Sequence, residues 1–208
     1  MARPREFDEN IALEAVIGRF WQRGFDATSM RDLAKSTGLS APSLYNTFGD
    51  KQALFARALE HYLDHTTRLR LRRLENSLPA RQAIHRFFDE IIERSVDDRQ
   101  RKGCFLVNSA LEIAPHDHEL GALIADRLGE IEAFFRRCIK VAQSDGTAAR
   151  TIDAKDVARL LLGVLLGVRV LARANPSRPL LEGVVRPALA LLDLPRSPRK
   201  KTRRSIDS

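Results

Sequence analysis

The chain has 208 residues, 44% of them hydrophobic and 30% charged, enough for a small head and one helical core domain but not for a third. No apolar run reaches the roughly 20 residues that cross a bilayer, and the N-terminal MARPREFDEN has charges with no apolar stretch behind it, so a cytoplasmic protein is expected. The two cysteines, Cys104 and Cys138, are too few for a disulfide framework or a zinc ribbon. The net charge of +8 overstates a nucleic-acid signal. Six Lys/Arg and one Asp lie from Arg196 onward, leaving 29 basic and 26 acidic residues in the body. Residues 196–208 read as a basic disordered tail, serving as a solubilising segment or a nonspecific DNA clamp.

In chain order, the first strong signal runs from Thr28 to Phe48. Thr28 or Ser29 can cap a helix whose Leu33, Ala34 and Thr37 form a buried stripe. Gly38 ends it, because glycine tolerates the positive φ that reverses the chain. Ser40 caps the next helix, Pro42 occupies its first turn, and Leu44 and Phe48 point inward. Ser43, Asn46 and Thr47 share the outer face. Two short helices across a glycine turn predict a helix-turn-helix that reads DNA.

Recognition helices offer short polar side chains to base edges while their neighbours hold phosphates. The Asn46 amide suits adenine, a bidentate contact that discriminates by roughly 1 to 3 kcal/mol, and Ala41 and the Thr47 methyl suit thymine methyls. Asp50 caps a third helix, so Lys51 stands at a helix N-terminus where a phosphate can be gripped. Arg31 adds a placed cation, and Arg3 and Arg5 add a basic arm.

Ile11, Ala12, Ala15, Phe20, Gly24, Phe25, Thr28, Leu33, Ala34, Gly38, Tyr45, Phe48, Lys51 and Leu54 together resemble the N-terminal domain of TetR-family transcriptional regulators. The resemblance covers about the first quarter of the chain. It implies an all-helical homodimer whose three-helix heads bind a palindromic operator, and whose larger C-terminal domain binds an inducer that releases DNA. Carried onto this sequence, the DNA-contacting positions are Ser29, Arg31, Ala41, Ser43, Tyr45, Asn46, Thr47 and Lys51, with Tyr45 and Lys51 on phosphates.

The remainder reads as helices only, giving an all-α fold divided into a DNA-binding head (1–52), an effector-binding and dimerisation domain (53–195) and the tail. A long helix is expected from Lys51 to near Asn76, its Arg68 to Arg73 stretch a solvated face. Further helices are expected over 80–97, 104–113, 117–143, 153–174 and 180–192. Val157, Leu160, Leu161, Val164, Leu165, Val168, Leu171 and Ala172 form one apolar stripe of the penultimate helix; Leu162, Leu166 and Val170 form a second. One face fits the interior and the other a partner subunit, with Gly163 and Gly167 permitting close approach and Leu181, Val184, Val185, Ala188 and Leu192 of the last helix completing a four-helix interface. Pro187 should kink or shorten that last helix.

Sensing has two readings. The segment KGCFLVNSALE, Lys102 to Glu112, resembles a stretch of a TetR subgroup in which a cysteine at this position senses electrophiles and oxidants. Cys104 follows Arg101, Lys102 and Gly103 and opens a helix, a setting that favours the thiolate. The other reading is an apolar or aromatic effector in a cavity lined by Phe87, Phe88, Ile91, Phe105, Asn108 and Phe134. His116, Asp117, His118 and Glu119 diverge too widely around a helix start to share a metal, so Asp117 is read as an N-cap. No phosphate loop, nucleophile elbow, HExxH or paired-cysteine motif occurs, so neither enzyme nor cofactor is expected. The alternative is a DNA-binding adaptor whose C-terminal domain docks a protein instead of a small ligand.

Overall fold

The structure is a computed structural model describing residues 7–193; the arm with Arg3 and Arg5 and the tail from Arg196 lie outside the described residues. Among the described residues every regular element is helical. The head comprises α1 (Glu9–Arg23), α2 (Met30–Thr37) and α3 (Ala41–Phe48), with α4 (Lys51–Leu63) packed against α1. The core follows as α5 (Leu69–Ser77), α6 (Ala80–Asp97), α7 (Phe105–Glu112), α8 (His118–Ser144), α9 (Ala154–Ala174) and α10 (Arg178–Ala190).

Side-chain caps set the starts of these helices. Ser29 and Asp32 form a reciprocal capping box on α2, Ser40 accepts from Ser43 N, and Asp50 accepts from Ala53 N. Asp117 accepts from Leu120 N, and Asp153 from Lys155 N and Asp156 N. Each cap satisfies a free amide and is worth about 1 kcal/mol. Thr28 caps nothing; it is buried, and its hydroxyl donates to Gly24 O at 2.6 Å. Gly38 ends α2 at φ +70°, and Leu44 and Phe48 point inward as their spacing predicts.

One continuous apolar core links head and body. In the head, Phe20, Phe25 and Phe55 pack with ring centroids 5.3–5.7 Å apart. Trp21, Tyr62 and Phe105 extend this cluster toward the body, where Phe87, Phe88, Phe134 and Phe135 form a second aromatic group between α6 and α8.

Two expectations are corrected here. The helix from Lys51 toward Asn76 is interrupted by a π-helical turn, Asp64–Arg68, between α4 and α5. His65 Nδ1 pairs with His61 O at 2.8 Å and Thr66 Oγ1 donates to Tyr62 O at 2.6 Å, so side chains serve carbonyls beside the widened turn. The Arg68 to Arg73 stretch is a solvated face only in part, since Leu69, Arg72 and Arg73 are exposed while Arg68 and Arg70 turn inward. Arg68 bonds Glu60, Asp64 and Glu130 at 2.6–3.0 Å, Arg73 grips Glu90 at 2.7 Å, and Arg70 is only 8% exposed. Glu90 and Glu130 lie on α6 and α8, too far along the chain for local composition to reveal. Pro187 sits in the last turn of α10, which ends at Ala190, short of the expected Leu192.

Candidate nucleic-acid interface and the cavity behind it

Tyr45 and Asn46 are exposed on α3, Ala41, Ser43 and Thr47 are half-buried beside them, and Arg31 is exposed on α2. Ser29 Oγ donates to Asp32 Oδ2 at 2.6 Å and accepts from Asp32 N, so that hydroxyl already serves the cap. Hydrogen bonds from Ser29, joined by Arg19 at 3.0 Å, hold the Asp32 carboxyl far below the usual carboxylate range. Ser43 Oγ lies 3.0 Å from Ser40 Oγ. Lys51 is the first residue of α4, and its Nζ donates to Phe25 O at 3.1 Å while lying 4.2 Å from the Phe25 ring. The ammonium of this helix-start residue is therefore held by the α1–α2 turn.

Polar bonds fasten this head to helices α7 and α8 and the segment before them. Phe25 N donates to Glu112 Oε1 at 2.7 Å, Trp21 Nε1 to Lys102 O at 2.9 Å, and Gln52 Nε2 to Asp117 Oδ2 at 2.6 Å. Gly24, at φ +79°, makes the first possible, since a Cβ there would collide with the Glu112 carboxylate. A cleft of about 450 Å³ lies along this seam, walled by Trp21, Gly24, Phe25, Phe105, Asn108 and Glu112. Trp21 and Glu112 were not singled out from sequence, because their partners lie about 80 residues away.

A sequence model described as "Bacterial regulatory proteins, tetR family" matches residues 13–58, and one described as "Tetracyclin repressor-like, C-terminal domain" matches residues 80–186. The chain belongs to the TetR family. It is 30% identical over 194 residues to the uncharacterized HTH-type transcriptional regulator YezE of Bacillus subtilis, covering 93% of this chain and all of the relative. To the HTH-type transcriptional repressor ComR of Escherichia coli it is 28% identical over 178 residues, 84% of each chain. A solved structure of a cysteine mutant of the TetR regulator CifR, complexed with 26-bp double-strand operator DNA, superposes with a TM-score of 0.80 at 33% identity. That superposition covers 90% of this chain and 98% of the other. This protein is thus a DNA-binding transcriptional regulator of TetR type, and its relatives are regulators rather than enzymes.

Within the TetR-type core, the residues expected to line one apolar cavity do not come together. Phe88 and Phe134 are fully buried in the aromatic group of α6 and α8, which is ordinary packing. Phe105 and Asn108 face the seam cleft, and Asn108 finds its partners in Lys102 O at 2.8 Å and Arg173 Nη1 at 3.2 Å. Phe87 and Ile91 do line an internal chamber of about 50 Å³, and Cys104 joins them. That chamber is not apolar, because Arg70, Arg94 and Arg169 also form its wall. Arg70 could have been found from sequence: it stands four residues before the buried Leu74, on an inward face.

Cys104 precedes α7 and is half-buried, with the Tyr62 hydroxyl directed at its sulfur at 3.8 Å. The flanking cations turn elsewhere: Arg101 reaches the Ala174 carbonyl at 3.4 Å and Lys102 lies 6.0 Å from the Trp21 ring. Cys138 is buried, and burial pushes its thiol up to about 12. Asp117 caps α8 as expected, and no group of three or more metal-ligating side chains occurs among the described residues.

The partner-facing residues divide. Leu181, Val185, Ala188 and Leu192 are buried against the protomer's own core, Leu181 at 0% exposure, and so are corrected from interface to interior. Leu162, Leu166, Gly167 and Val184 are half-exposed, Gly163 is exposed, and Val170 is 44% exposed. Leu160 at 44% and Leu191 at 44% join them, although Leu160 was assigned to the inner stripe. The reason is that α10 packs along α9 within the protomer, which consumes the inner face of each. No helix among the described residues is long and apolar enough to cross a membrane.

Proposed function

We propose that this regulator is a homodimeric repressor whose two heads occupy a palindromic operator and are released when an effector or an electrophile acts on the core. The observation that carries it is the seam. The Trp21, Tyr62 and Phe105 rings are in contact, and the indole N–H of Trp21 and the amide of Phe25 are both fastened to the body. Tyr62 and Phe105 adjoin Cys104, so a change at the thiol has a short packed route to α1 and to the Lys51–Phe25 contact beside α3.

In this reading Asn46 and Ala41 set sequence preference, Tyr45 and Lys51 hold phosphates, and Arg31, Ser43 and Thr47 flank them. Residues 1–52 act as the head and 53–195 as the sensing and dimerising body. The exposed stripe of Leu162, Gly163, Leu166, Gly167, Val170 and Val184 meets its symmetry mate, setting the heads about 34–36 Å apart for half-sites one turn distant. Cys104 is placed as the electrophile-reactive thiol of the subgroup that the GCFLVNSALE segment resembles. The setting is the cytoplasm.

The test is a mobility-shift titration on DNA from the protein's own promoter region, reduced and then treated with a mild electrophile, with Cys104→Ser alongside. Release of the wild type alone supports the thiol switch. Release of both, or of neither, removes Cys104 from the mechanism.

A further inference from the structure

The internal chamber carries more positive charge than its walls neutralise. Arg70 and Arg169 each bury an Nε that has no hydrogen-bond acceptor among the described residues. Arg70 faces Glu90 at 3.4 Å, but Glu90 is already held by Arg73 at 2.7 Å and Arg86 at 3.2 Å. Arg169 spends its terminal nitrogens on Ser95 Oγ and Gly103 O, both at 2.9 Å. Arg94, also in the wall, takes part in no ion pair among the described residues. Among the described residues no carboxylate lines the chamber itself. Burial, followed by the neighbouring Arg94 charge, lowers the Arg70 guanidinium to about 10. Arg94 is exposed, but Arg70 is buried and Arg169 half-buried, and an anion seated among the three would offset the cost of holding that charge away from water.

The chamber also has a mouth. An adjoining groove of about 310 Å³ shares Tyr62, Thr66, Arg94 and Arg169 with it and is walled on the other side by Ile17 and Trp21 of α1. Glu14, Asp98 and Lys102 stand in the groove; Glu14 is engaged with His61 at 3.0 Å, and Asp98 accepts from Gly103 N at 2.8 Å. About 50 Å³ admits a carboxylate-sized group and little more, and its remaining walls, such as Phe87, Ile91 and Leu165, are apolar.

We propose that this chamber and groove form the binding site for a small organic acid, the carboxylate held by Arg70, Arg94 and Arg169 and the apolar body lying against Trp21 and Ile17. The proposal rests on the effector-binding reading of the core and names the chemical class of the effector. An occupant touches α1 of the head and α6 and α9 of the body at once, so it acts on the seam directly.

The experiment follows thermal unfolding at fixed ionic strength and chloride with acetate, benzoate and 3-phenylpropanoate at about 10 mM, each beside its neutral amide. At least one acid is expected to raise Tm saturably by about 2 °C or more where its amide does not. Arg94→Gln is expected to fold normally and lose most of that shift. Arg70→Met, in which Glu90 keeps Arg73 and Arg86, is expected to stay folded yet lose the response to acid. Equal shifts by acid and amide, no shift with any acid, or a wild-type response in Arg94→Gln would each overturn the proposal. Unfolding is read without DNA, so a bound acid that fails to release operator counts against the regulatory reading and not against the site.

Discussion

Phe25 and Glu112, 87 residues apart, meet through a 2.7 Å hydrogen bond from the backbone amide that follows Gly24 to the carboxylate that ends α7. This bond joins the turn that positions the helix-turn-helix to the helix that begins after Cys104. Asn108 and Gly103 on the same segment are also engaged, with Lys102 O and Arg169 respectively, so GCFLVNSALE is a seam motif before it is a thiol motif.

Removing that acceptor should loosen the head. Glu112→Ala leaves the Phe25 amide without its charged partner, and because Glu112 is exposed the expected loss is about 1 kcal/mol, a fall in Tm of about 2–4 °C. Gly24→Ala combines a strained positive φ with a collision against Glu112 and should cost more. Thermal unfolding of the two variants checks the order, and hydrogen exchange at Phe25 should accelerate in Glu112→Ala.

Acid should weaken the body through its interhelix ion pairs. Hydrogen bonds and charge from Arg68, aided by Arg127, hold the Glu130 carboxyl below its usual 4.5. Burial would raise Glu90, but Arg73, with Arg70 and Arg86, outweighs it and also keeps that carboxyl below 4.5. Both folded-state values lie beneath the unfolded ones, so their stabilisation is complete above about pH 4.5 and is lost as pH falls through the lowered values. Urea midpoints between about pH 7 and 3 should decline over that range, and Glu130→Gln should decline less from a lower starting midpoint.

The two thiols should separate in rate. With Cys138 pushed up to about 12 by burial, almost no thiolate exists there near pH 8, whereas Cys104 is half-exposed at the start of α7. Iodoacetamide followed by mass spectrometry should modify Cys104 first, and Cys104→Ser should leave only slow modification. Faster labelling of Cys138 would contradict the burial argument.

The partner face is tested by Val170→Arg, which places a charge on the exposed stripe without touching the protomer core. Light scattering should show a shift toward monomer with secondary structure retained. Val185→Ala, by contrast, should cost about 1–3 kcal/mol of stability because Val185 is interior.

The head was legible from sequence because its signals are local: Ser40, Gly38, Pro42 and the Leu44–Phe48 spacing each act within one or two turns. The helix order was equally legible, down to the cap at Asp117. What the sequence concealed depends on distant partners. Arg68 looked solvated until Glu130 arrived from α8, and Leu181, Val185 and Ala188 looked available to a second subunit until α9 covered them. The π turn at Asp64–Arg68 leaves no mark in the hydrophobic pattern, and the aromatic residues assigned to one cavity proved to serve three different places.

The most direct test of the central claim is a fluorescence-anisotropy titration of the protein on operator DNA from its own promoter region, with single-base variants of each half-site, for wild type, Asn46→Ala and Lys51→Ala. Two protomers per half-site pair are expected, with relaxed preference at one symmetric base position in Asn46→Ala. Uniformly weaker binding is expected in Lys51→Ala, with a salt slope reduced by about 1. Uniform loss in Asn46→Ala, or one protomer bound per palindrome, would contradict that claim.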